Sequence, residues 1–284
     1  MPSREIQAAY AEFTAAAAMV AHEQGLVHRL IRREADFLRE QQTQAAAMHF
    51  SGGPVHQSMV FREMRQRRPI FYASSEPSYD ELIFSLTVSH NRQYQWLLAE
   101  AFELFETFVL DAMACAGAKD PSVWDQQDLR RMGAYAGQDA AWWVAQARAL
   151  KHPPPTAVAL NRLRQLPGVR QLEENNAHQV DFRLVLQMIE RMRHVIVHNR
   201  GQVNSKDEFA TGVLRDLGML SGGRPRPEDA AFIGQFVGNG KLKNTILLLE
   251  YPLASEGPGT TYIDVWDHLL GWMLSYAHML SERL

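Results

Sequence analysis

Residues 181–201 read DFRLVLQMIERMRHVIVHNRG, and this stretch decides the fold. At about 100° per residue, Leu184, Val185, Leu186, Met188, Ile189, Met192, Val195, Ile196 and Val197 cover more than half the circumference of one helix. An apolar arc that wide predicts a helix packed on several sides, and with it a mainly helical core. The remaining strip carries Arg183, Gln187, Glu190, Arg191, His194 and His198, while Arg193 projects from the edge of the apolar arc. An arginine there requires an acidic partner, because an unpaired buried charge costs several kcal/mol.

Part of this pattern is explained by how helices end. Gly201 stands where a C′ residue with positive φ belongs, and a histidine in the last turn gains about 0.3–1 kcal/mol from the helix dipole. The same residues also make a motif: Arg193, His198 and Asn199 form R-x4-H-N, closed by Arg200-Gly201, with Arg191 offering a second Arg-to-His spacing. Here the chain resembles the HEPN superfamily of helical proteins, many of which are RNases marked by an Arg followed by a His after four to six residues. The likeness covers the motif helix, an upstream helix carrying Phe105-Glu106-Thr107-Phe108, and the spacing between them.

That resemblance implies a HEPN-like helical bundle and a metal-independent endoribonuclease that takes no cofactor. It implies a homodimer in which two motif helices face each other, with Arg193 and His198 near the two-fold axis. Carried onto this sequence, the catalytic set is Arg193, His198, Asn199 and Glu106, with Arg191, His194 and Glu103 as secondary candidates. A toxin or anti-phage setting, with RNA as substrate and an antitoxin or regulatory protein as partner, follows from the same resemblance. The chain departs from the subgroup ending in His-x-Tyr, since Arg200 fills the third position, which puts that subgroup's control by a nucleotidyltransferase antitoxin in doubt. The rival expectation is a non-catalytic HEPN-like module that binds RNA, a nucleotide or a protein partner.

The chemistry asks for these residue types. Metal-free RNA cleavage needs a base for the 2′-hydroxyl proton, an acid for the leaving oxygen and positive charge on the phosphorane; it leaves a 2′,3′-cyclic phosphate. Histidine suits the first two roles near neutral pH and arginine the third. Arg193 and His198 stand about 140° apart on an ideal helix, so they converge only through the arginine's reach or a distortion. His194 and His198 at i,i+4 have metal-ligand spacing, but the acid of H-E-x-x-H is missing and no third ligand is evident. No metal site is expected. A P-loop, a dinucleotide-binding glycine turn and a G-x-S-x-G elbow are all missing, which argues against ATPase, dehydrogenase and hydrolase readings.

With 284 residues and 46% hydrophobic content, the chain is long enough for one large or two small cores. Its formal charge of −3 provides no global basic field, so RNA contact falls to local arginines. The segment VFREMRQRRPIFYA supplies Arg62, Arg65, Arg67 and Arg68 among aromatic side chains; with Arg200 these are the expected RNA-binding residues. In local pattern the same segment reads as a solvated loop or helix end. The single cysteine, Cys115, excludes an internal disulfide, and neither a signal peptide nor a membrane span is expected from the N-terminal pattern and the apolar run lengths. A cytoplasmic protein with no membrane contact is expected.

Two regions are predicted: an N-terminal helical extension over 1–75 that includes the basic segment, and a HEPN-like domain over 76–284. Residues 4–49 have helical spacing without proline, and 79–116 form a helix in which Glu106 falls on the boundary of the core arc. Glu106 is therefore the expected partner of Arg193, and its replacement by alanine is expected to cost on the order of 3 kcal/mol. Residues 232–237 and 244–251, flanking Gly238-Asn239-Gly240, predict a small β-hairpin or two short strands near 231–251. A last helix is expected over 262–281.

Overall fold

The computed structural model describes residues 2–49, 54, 57–252 and 262–284. In chain order these residues form α1 (Arg4–Ala47), β1 (Gln57–Arg62), β2 (Pro69–Ser75), α2 (Tyr79–Lys119), α3 (Gln126–Met132), α4 (Ala140–Ala149), α5 (Thr156–Leu163) and α6 (Val169–Glu174). They continue with α7 (Phe182–Asn199), α8 (Lys206–Asp216), α9 (Pro227–Gly234), β3 (Tyr251–Pro252), β4 (Tyr262–Ile263) and α10 (Val265–Arg283). The fold is mainly helical with small antiparallel β elements, as the periodicity predicts. None of the described helices is long and apolar enough to cross a membrane.

The chain divides into two compact units, Met1–His22 with Tyr94–Leu284, and Glu23–Gln93. Residue 75, the expected boundary, lies inside the second.

In the larger unit the helix starts follow local signals. Asp125, Asp139, Ser205 and Asp264 each accept a hydrogen bond from a backbone N–H in the first turn of α3, α4, α8 and α10. α7 begins the same way, with the Asp181 carboxylate accepting from the Arg183 N–H at 2.9 Å. It ends in two consecutive left-handed residues, Arg200 at φ 54° and Gly201 at φ 75°, both of whose N–H groups turn back to the Val195 carbonyl. The glycine is required here: a Cβ at Gly201 would lie 2.4 Å from the Gln95 amide, which itself donates to the Ile246 carbonyl at 2.7 Å.

The wide apolar arc of α7 is used as predicted, against α6, α8 and α10. Val197 is the exception, 37% exposed at the end of the arc. Beside α7 the core is aromatic: Phe105 touches Phe13, Phe102 and Tyr276, and Tyr276 touches Phe182. Each such side chain, once fully buried, contributes roughly 1.5–3 kcal/mol. Cys115 on α2 is buried as well, and burial pushes its thiol up to about 11, so it is an inert core residue.

The expected hairpin near 231–251 takes a different form. Residues up to Gly234 are helical because Pro227, Glu228 and Asp229 supply a helix start, and Phe232 and Phe236 meet at i,i+4 and pack on Trp272. What remains of that β element is the single bridge Val237↔Ile246, followed by the two-residue ladder of β3 with β4.

In the smaller unit, α2 starts with a reciprocal cap in which Glu81 N–H donates to the Ser78 hydroxyl and Ser78 N–H to the Glu81 carboxylate. The segment read as a solvated loop or helix end is instead an antiparallel hairpin, β1 with β2, pairing Val60 with Phe71 and Phe61 with Ile70. A bulge between Met59 and Val60 breaks the two-residue period, and Arg67 turns the chain at φ 53°.

Candidate active site

The three basic groups of the motif leave α7 in three directions. Arg193 turns to α2, where Nη2 lies 3.4 Å from Glu103 Oε1 and 3.7 Å from Glu106 Oε2. Those distances exceed the 2.7–2.9 Å of a tight charge-assisted bond. Glu106 has a closer partner: its Oε1 accepts from the Thr156 hydroxyl at 2.6 Å, at the start of α5. Arg193 Nε is buried with no hydrogen-bond partner among the described residues. One turn earlier, Glu190 shares this environment. Burial pushes its carboxyl above the usual range, Glu106 and Asp216 add to the shift, and Arg193 opposes it.

Arg191 turns instead to α8, with Nη1 2.9 Å from Asp216 Oδ2 and its guanidinium over Gly212, where a Cβ would stand 3.0 Å from Nη2. His194 and His198 form a third group, exposed on the last turns of α7, their ring centroids 4.6 Å apart and tilted by 51°. Partial burial, followed by the charges of His198, Arg191 and Arg193, pushes His194 below the usual imidazole range. The shift favours the uncharged ring, which has a nitrogen able to accept a proton. Asn199 and Arg200 follow, both exposed.

Arg193 and His198 therefore do not meet within one chain, as their angular offset on the helix anticipates. The pairing of Glu106 with Arg193 forms, but loosely and shared with Glu103. Arg62, Arg65, Arg67 and Arg68 are exposed on β1 and the turn after it, in the Glu23–Gln93 unit, whereas Arg200 belongs to the unit that contains α7. Among the described residues no three His, Cys, Asp or Glu side chains gather as a metal site.

The motif gives no indication of Thr156, Asp216 or Gln95, because each lies on an element distant in sequence: Thr156 meets Glu106 on α2, Asp216 meets Arg191 on α7, and Gln95 lies against Gly201 after it. Nor does it indicate Glu173 on α6, whose buried carboxylate accepts from Arg164 Nε at 2.8 and 3.0 Å and from the Tyr276 hydroxyl at 2.9 Å. Burial pushes Glu173 up against the pull of Arg164, and burial with the charge of Glu173 pushes Tyr276 well above its ordinary value, so the phenol remains a donor. This cluster floors a cavity of about 220 Å³ lined by Phe182, His178 and His278. All of its bonds are satisfied internally, and its role is to tie α6 to α10.

Comparison of the chain with family models, with curated proteins and with solved structures finds no match.

Proposed function

We propose that the chain is a HEPN-like endoribonuclease that cleaves RNA without a metal, by transesterification, and acts as a homodimer. The observation that carries this reading is the exposed His194–His198 pair at the end of α7, followed directly by Asn199 and Arg200. An uncharged imidazole and its neighbour supply the two proton transfers: one takes the 2′-hydroxyl proton as that oxygen attacks phosphorus, the other protonates the departing 5′-oxygen. In this reading Arg200, exposed at the helix end, carries positive charge to the phosphate. Arg193 then acts as a positioning residue, joining α7 to Glu103 and Glu106. A toxin or anti-phage role belongs to this reading by resemblance alone.

One observation favours the rival reading, a non-catalytic module that binds RNA or a partner: the motif arginine is already compensated by two carboxylates, which compete with any phosphate for it. Cleavage of total RNA separates the two. Under the nuclease reading, the wild-type protein cuts in EDTA and leaves 2′,3′-cyclic phosphate ends, and His198→Ala loses about 10²–10⁴-fold in rate with little change in melting temperature. RNA binding without cutting, with or without divalent metal, assigns the protein to the binding module.

A further inference from the structure

Among the described residues of the Glu23–Gln93 unit, Leu38 and Ala45 are the only hydrophobic side chains that are buried, while most of the large hydrophobics exposed on the chain lie within it. On α1, Leu26 is 45% exposed and Leu30 56% exposed. Glu23 and Arg33 are also exposed, and no ion pair joins either of them to the chain among the described residues. These four side chains fall within about 80° of one another around the helix. Their order, acid, leucine, leucine, base, with spacings of three, four and three residues, reads the same in both directions with the charges exchanged.

We propose that this face of α1 is a self-association surface on which a second copy of the chain docks antiparallel, about a two-fold axis near residue 28. Leu26 then meets Leu30 of the second copy, and Glu23 meets its Arg33, each contact occurring twice. The charges select the direction: a parallel pairing sets Glu23 against Glu23 and Arg33 against Arg33. The β1–β2 hairpin also exposes Phe71 and Tyr72, but it carries no such self-complementary order. Four side chains per copy fall short of the ~800 Å² per partner of a standard interface, so a dissociation constant in the micromolar range is expected. The inference deepens the homodimer of the proposed function and does not depend on cleavage.

Sedimentation equilibrium of the full-length protein between about 1 and 100 µM tests it. Wild type is expected to dimerise; Glu23→Arg and Arg33→Glu, each alone, are expected to weaken dimerisation at least tenfold, since each creates like-charge contacts. An equimolar mixture of the two variants is expected to regain association within about threefold of wild type, because every charged contact in the mixed dimer is again attractive. Both substitutions are on exposed positions, and unchanged circular dichroism melting confirms that the variants fold. Single variants that associate as wild type does, or a mixture that stays monomeric, would overturn the proposal. In the first case a dimer through the motif helices still stands; absence of RNA cleavage by the wild-type protein, with this association pattern intact, rejects the nuclease reading and leaves the interface.

Discussion

Glu106→Ala probes how α2, α5 and α7 are joined, and the structure assigns it three effects of different sign. The Thr156 hydroxyl, 7% exposed as a residue, loses an acceptor at 2.6 Å, and a buried donor left unsatisfied costs about 1–3 kcal/mol. Arg193 keeps Glu103 at 3.4 Å, and its side chain is 29% exposed. The roughly 3–5 kcal/mol of a broken buried pair therefore does not apply, and the loss at Arg193 is nearer the ~0.2–1 kcal/mol of an exposed pair. Glu190 gains, because Glu106 is one of the charges that disfavour its ionised form. The net loss is expected to be about 1–2 kcal/mol, below the 3 kcal/mol or so of an arginine left without a partner.

Glu106→Gln sharpens the test, since the amide oxygen still accepts from Thr156 while the charge is gone; its cost is expected to stay below about 1 kcal/mol. Urea unfolding at pH 7, followed by circular dichroism, measures both. In double-mutant cycles, the coupling of Glu106 to Thr156, with Thr156→Val, is expected to exceed its coupling to Arg193, with Arg193→Met. A loss of about 4 kcal/mol or more for Glu106→Ala, coupled wholly to Arg193, would show that the guanidinium is the main partner and that Glu103 does not compensate it.

Other outcomes follow from the same contacts. Glu190 has a raised pKa in the fold, so its contribution is fully present below the ordinary carboxyl value near 4.5 and is lost as pH rises through the folded value; Glu190→Gln is expected to raise the melting temperature at pH 8 and leave it unchanged at pH 4. Equal effects at both pH values would refute this. His90 is pushed down to about 4 by burial and then by His28. Its contribution is present above the ordinary 6.5 and lost as pH falls toward 4, so acidification is expected to lower the unfolding free energy more in wild type than in His90→Phe, by no more than about 3 kcal/mol given partial solvation. Gly201→Ala forces a left-handed alanine, at about 1–2 kcal/mol, and drives its Cβ into the Gln95 amide. It is expected to cost more than Gly137→Ala, where φ is also 75° and nothing lies within 4 Å; equal losses in chemical denaturation would remove the Gln95 contact from the account.

What was legible in the sequence was local. The extent of α7 and its end at Gly201 each depend on residues within one turn, and the wide apolar arc announced several packing neighbours without naming them. The helical reading of 227–234 was available from Pro227-Glu228-Asp229 but was outweighed by an apolar run near glycines, a pattern that strands share. In the β1–β2 hairpin the apolar residues come as adjacent pairs, Val60-Phe61 and Ile70-Phe71, among four arginines, so no two-residue alternation marks the strands. The partners Thr156, Asp216 and Gln95 lie tens of residues from the groups they hold, and periodicity carries no information about such pairs. Glu106 was the exception, because a carboxylate on the boundary of a core arc and an arginine on the edge of another have few other places to go.

The disposition of basic groups on α7 restricts where a phosphate can be bound. A guanidinium between Glu103 and Glu106 has most of its charge compensated, so a phosphate reaching Arg193 must displace a carboxylate or add to a site with more acids than bases once Glu190 is counted. Arg191 is likewise engaged by Asp216 at 2.9 Å. Arg200 differs: it is exposed, held by its left-handed backbone rather than by an ion pair among the described residues, and separated from His198 by one residue. Under the proposed RNA-directed reading, substitution therefore separates structural from phosphate-binding arginines. Loss at Arg193 should appear first in stability, and loss at Arg200 first in RNA affinity and its salt dependence, where each phosphate contact contributes a slope of about 0.7–0.9 in log K against log salt. If instead Arg193→Met abolished RNA affinity without altering unfolding, the carboxylates would have to release it on binding, and the motif arginine would return to the phosphate.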